Sequence, residues 1–156
     1  MPIIVNSTEI TDDAVFAEMQ YHPASSAEEA QYKASVALTI RELLLQEAAS
    51  LGIVAPDISS PEEIQEDFKI SRLLEQEVVT PEPDAISCQR YYDHNQKKFR
   101  DSEGNPVLFE HFQTTIAAYL KEVSWQTAVK QYIKILAGKA RIAGIHLSGA
   151  DSPLVQ

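Results

Sequence analysis

The sequence predicts a mainly α fold of about five helices, two of them long, closed by a small two-stranded sheet that pairs the N- and C-terminal segments. Three observations predict it. Apolar residues recur at spacings of three and four over most of the chain, the pattern of helices with one buried face. Residues that cap helix N-termini stand ahead of the apolar runs, at Thr11, Ser25 and Ser26, Ser60 and Asp84. Strand-like segments occur only at Ile3 to Asn6 and at Ala140 to Leu147, and strands this short need a partner.

Ile3-Ile4-Val5 is β-branched and runs into Asn6-Ser7, a turn signal. Thr11 caps a short helix through Val15, Phe16 and Met19, with Asp12 and Asp13 complementing its dipole, and this helix stops before Pro23. Ser25 and Ser26 each precede a glutamate by three residues, so two capping-box registers open the next helix, which runs to Gly52. Ala30, Ala37, Ile40, Leu44, Ala48 and Leu51 mark its buried face, and about 25 residues make it about 38 Å long. A third helix starts at Ser60-Pro61 and carries Ile64, Phe68, Ser71, Leu74 and Val78 as a stripe, ending at Pro81. Asp84 caps a fourth, through Ile86, Arg90, Tyr91 and Tyr92, which fades at Asn95. Phe99 to Leu108 reads as a loop around Gly104-Asn105-Pro106. The fifth helix begins near Phe109 and keeps the helical period, with a phase shift near Trp125, to a stop at Gly138. Ala140 to Leu147 then alternates as a strand.

With 156 residues and 44% hydrophobic content, one domain over residues 1–156 can bury a core of its own. A formal charge of -10 repels a phosphate backbone and argues against nucleic acid as partner. Cys88 is the single cysteine, so no intrachain disulfide forms, which fits a reducing compartment. The opening residues lack the basic start and apolar run of a secretory signal, and no apolar run approaches the roughly 20 residues that span a bilayer. A bacterial cytoplasmic rather than periplasmic protein, with no membrane partner, is the expectation.

Chemistry-bearing residues are sparse. Cys88 lacks a histidine at a helical neighbour position, since His94 is six residues on, and reads as a packed side chain. His22, His94, His111 and His146 have none of the paired spacings of a zinc site. Glu62, Glu63, Glu66 and Asp67 are explained by the dipole of the helix they open. The five glycines build no phosphate cradle. No catalytic, metal-binding or cofactor-binding residue is therefore assigned. The aromatic residues admit two readings: packing in the core, or a groove that takes apolar side chains of a client. Candidate groove residues are Phe16, Met19, Tyr91, Tyr92, Phe109, Phe112, Tyr119 and Trp125.

The order of these elements and several local strings resemble the SurA/PpiC family of parvulin-type peptidyl-prolyl isomerases, above all its cytoplasmic NifM-like members. The strings are Val5-Asn-Ser-Thr-Glu-Ile10-Thr, Leu45 to Ile53, Leu73 to Val78 with Thr80-Pro-Glu-Pro83, Tyr91-Tyr92-Asp-His-Asn95 to Phe99, and Tyr132 to Ile145. The resemblance implies that a parvulin domain belongs between Phe99 and Phe109. Only about ten residues stand there, against the roughly 90 to 100 of a small domain. What remains is the chaperone part, expected to bind unfolded or partly folded polypeptide without catalysing proline isomerisation. Residual isomerase activity and a dedicated docking or dimerisation scaffold are the alternatives. A homodimer, domain-swapped across the shortened link, is a further expected partner state.

Overall fold

A computed structural model of the chain describes residues 2–147. Helices hold 64% of the described residues, which makes the fold mainly α as the periodicity requires. The elements run β1 (Ile3–Val5), β2 (Thr8–Ile10), α1 (Asp12–Glu18), α2 (Ala27–Ser50), α3 (Glu62–Glu77), α4 (Ala85–His94), α5 (Phe109–Lys139) and β3 (Ile142–Ala143), with single 3-10 turns after α1 and α4. The chain falls into two compact units: the residues up to Val78 with those from Val129 on, and Val79–Ala128.

The first unit holds the sheet, α1 to α3 and the last part of α5. The sheet has three strands rather than the expected two, in the order β2-β1-β3 and antiparallel throughout. The expected pairing of the first and last segments is present, Ile4 opposite Ala143 and Val5 opposite Ile142. The added strand is Thr8-Glu9-Ile10, folded back on β1 through the Asn6-Ser7 turn. Asn6 supplies the positive φ of 56° that turns a two-residue hairpin in the sense of the strand twist. The terminal strand is shorter than Ala140 to Leu147, because Gly144 at φ 88° ends it. A Cβ on Gly144 would lie 2.6 Å from the Pro2 carbonyl oxygen, so only glycine lets the chain pass so close to β1.

Ile3 and Val5 point into a core with Ile10, Val15, Ala34 and Leu43, while Ile4 alternates outward. Helix α2 is the axis of this unit. Ser26 caps it by accepting from the Glu29 amide at 3.1 Å, and the chain leaves it at Gly52, φ 76°, with the Ile53 amide bonded back to Ala48. Of the expected face, Ala37, Ile40, Leu44 and Ala48 are buried, Ala30 is half-buried and Leu51 is exposed. Four successive residues, Ala34 to Ala37, are also buried, since α1, β1 and α3 all pack on this one helix.

The expected stripe on α3 is corrected in part: Val78 is buried and Leu74 half-buried, but its earlier positions are exposed. Ile64 is 57% and Phe68 41% exposed, and the side chain that α3 buries fully is Leu73. Arg41 of α2 reaches Glu66 at 3.1 Å and Asp67 at 2.9 Å, and Glu66 lies two turns before Leu73 on the same face. The ion pairs and the buried Leu73 thus lie on one face of α3, and Ile64 and Phe68 stay exposed.

The second unit contains α4, the loop and the first part of α5. Asp84 caps α4 through the Ser87 amide at 2.7 Å, as its position predicts. Residues 100–108 form a tied loop: Val107 donates to the Phe99 carbonyl at 2.9 Å, Asp101 to that of Asn105 at 2.9 Å, and Arg100 bridges to Pro106. The core here is Cys88, Phe99 and Ile116 with the surrounding tyrosines and phenylalanines.

Candidate functional site

The groove candidates divide between the two units. Phe16 and Met19 belong to the first. There α1, the first turns of α2 and the edge of the sheet enclose an open cleft of about 560 Å³, lined by Ile3, Asp13, Val15, Phe16, Met19, Glu28, Gln31 and Ser35 among others. Phe16 is 77% exposed although it follows the buried Val15, because α1 is a single-sided helix two turns long. Ser35 is only 8% exposed and lies on the wall of the cleft.

Tyr91, Tyr92, Phe109, Phe112 and Tyr119 belong to the second unit, where they gather around Phe99. The Phe99 ring is 5.2 Å from that of Tyr92, 4.9 Å from that of Phe112 and 6.1 Å from that of Tyr91. Phe109 meets Tyr92 edge-on at 5.6 Å, and Tyr119 meets Tyr91 at 5.3 Å. The Tyr92 hydroxyl donates to the Val107 carbonyl at 2.5 Å, which fixes the ring inward. Tyr92 and Phe112 thus hold the unit together, leaving Tyr119 and one edge of Phe109 accessible. Trp125 is half-buried further along α5. Beside Phe109 a second open cleft of about 430 Å³ is lined by Ala85, Ile86, Gln89, Arg90 and Asp93, with Ile86 69% exposed.

No family model, curated protein or solved structure matches this chain. Its chemistry rests on its own residues. Cys88 is buried in the aromatic core, and His94 donates through Nδ1 to the Arg90 carbonyl at 2.9 Å, an ordinary end to α4. Among the described residues no group of three or more histidine, cysteine, aspartate and glutamate side chains could hold a metal ion. No described helix is long and apolar enough to cross a membrane.

The strongest pKa displacement falls on Tyr132, whose phenol is pushed up to about 12 by burial and by the nearby Glu47 and Glu77 carboxylates. That keeps it protonated rather than reactive. Sequence reasoning found Phe16 and Met19 but passed over Gln31 and Ser35, which join Glu28 at spacings of three and four on α2. A polar stripe on the start of an otherwise apolar helix was the signal available.

Proposed function

We propose that the chain is a non-catalytic polypeptide-holding module, of the kind the chaperone part of SurA/PpiC-type folding factors supplies. Phe16 carries the reading: a large apolar ring, mostly exposed over an open cleft beside Val15 and Met19. Such a surface gains by covering the apolar side chain of another polypeptide, at roughly 25 cal/mol per Å² removed from water. The cleft of the second unit adds Ile86 and the edge of Phe109. An open, shallow site binds weakly and releases without nucleotide or cofactor, and the net charge of -10 keeps a loaded complex from associating further. In support, residues 100–108, where the resemblance would put a catalytic domain, form a short loop tied by backbone hydrogen bonds.

Light scattering tests the proposal. A chemically unfolded test protein, diluted into buffer containing the chain and no nucleotide, should aggregate less as the chain is added. Phe16→Ser, at an exposed position, should lose part of the protection without loss of fold. Undiminished aggregation at a several-fold excess of chain would falsify the reading. Accelerated proline isomerisation in a short peptide, above the uncatalysed process of tens to hundreds of seconds, would replace it with an enzymatic one.

A further inference from the structure

The cleft of the first unit combines two chemistries. Apolar side chains line it, the buried Ile3 and Val15 with Met19 and the exposed Phe16, together with the carboxylates of Asp12, Asp13 and Glu28, from the first turns of α1 and α2. Among the described residues no lysine, arginine or histidine lines it. Among the described residues neither Asp13 nor Glu28 is paired with a cation. The charge of the unit has the same sign: its described residues include 15 acidic and 8 basic ones. A helix dipole accounts for acidic residues at these two positions, but not for the third feature. Ser35 is 8% exposed and faces the cleft, and its hydroxyl makes no hydrogen bond among the described residues. A buried hydroxyl without a partner is costly in a folded protein, and a polar atom of an occupant can supply one.

We infer that this cleft takes extended client segments in which a lysine or arginine flanks a large apolar side chain. The apolar side chain covers Phe16 and Met19, the cation lies against Asp13 and Glu28, and the Ser35 hydroxyl donates to a backbone carbonyl of the segment. The volume of about 560 Å³ falls within the range of sites that enclose small ligands. This narrows the polypeptide-holding reading and rests on it: it specifies which segments are held, and where.

The test is a titration of the full-length chain, ¹⁵N-labelled, with three short peptides of one apolar sequence whose flanking positions are arginine, glutamine or glutamate. The arginine peptide should bind about fivefold or more tighter than the glutamine peptide at low salt, with the margin shrinking as ionic strength rises and the Debye length shortens. Amide shifts should centre on Val15, Phe16, Gln31 and Ser35. The double variant Asp13→Asn with Glu28→Gln should weaken the preference for arginine while leaving the glutamine peptide bound as before. Equal affinity for the three peptides, or shifts centred on α4, would overturn the inference and leave polypeptide holding intact. If none of the peptides binds and aggregation is also not suppressed, the inference falls together with the reading beneath it.

Discussion

Asn6 joins three parts of the first unit. Its amide donates to the Arg141 carbonyl at 2.7 Å, its Oδ1 accepts from the Arg141 amide at 3.0 Å, and its Nδ2 donates to Gln46 on α2 at 2.6 Å. Gln46 in turn donates to the Val5 carbonyl at 3.1 Å. Asn6→Ala removes both side-chain bonds and places an alanine at positive φ. We expect a loss of about 1–3 kcal/mol, with Asn6→Gly losing less because glycine keeps the turn. Urea denaturation of the two variants checks the order, and an alanine variant as stable as the glycine one would mean the turn geometry is unimportant. At this scale the sequence showed the turn but not the partners, since Arg141 is remote in the chain and nothing local to Asn6 names it. The aromatic residues show the same limit. Phe16 and Phe112 look alike in a pattern of spacings, yet one is exposed over a cleft and the other is packed on Phe99, because exposure depends on what the fold brings opposite.

Helix starts were legible because their chemistry lies within one turn of chain. Thr11 accepts from the Ala14 amide, Ser26 from that of Glu29 and Asp84 from that of Ser87. The reciprocal half of the α2 box shifts by one residue: Glu29 accepts from the hydroxyl of Ser25 at 2.6 Å and its amide at 3.1 Å, not from Ser26. The Ser25 hydroxyl, then the Ser25 amide and Lys33, hold the Glu29 carboxyl below its ordinary value of 4.5. A carboxyl depressed in the folded state stabilises above its unfolded pKa and loses that contribution as the pH falls through the folded value. The first turn of α2 should therefore loosen on acidification below 4.5, and not above it. Titration of the Glu29 side-chain carboxyl carbon by NMR, with the Ser25 amide followed alongside, should give one shared midpoint under 4.5. A midpoint at or above that value would mean the bonds do not persist in solution. The face of α3 was not legible, since a period identifies a stripe but not what it meets. There Leu73 is buried and Arg41 pairs with Glu66 and Asp67, while Ile64 and Phe68 stay exposed. Strand β2 escaped notice because three residues, Thr8-Glu9-Ile10, bury only one side chain.

On the scale of the molecule, the division into two units predicts where damage spreads. Phe99 is 7% exposed and touches the rings of Tyr91, Tyr92 and Phe112, so Phe99→Ala should cost about 3–5 kcal/mol within its own unit. Native-state hydrogen exchange should show the amides of Cys88 and Ile116 losing protection well before those of Leu44 and Leu73. Equal losses at all four would mean that the chain opens as one cooperative body.

Strand β1 sits in the middle of its sheet, yet one neighbour follows it directly in the chain and the other comes only after α5. On a ribosome the hairpin with Thr8–Ile10 can close immediately, while the edge offered by Ile4 and Val5 stays vacant until Ile142 and Ala143 emerge. Closing so long a loop is slow in proportion to its contact order. A nascent chain should therefore keep one open strand edge until α5 and β3 have been made, and its own folding is exposed to strand capture by neighbouring nascent chains.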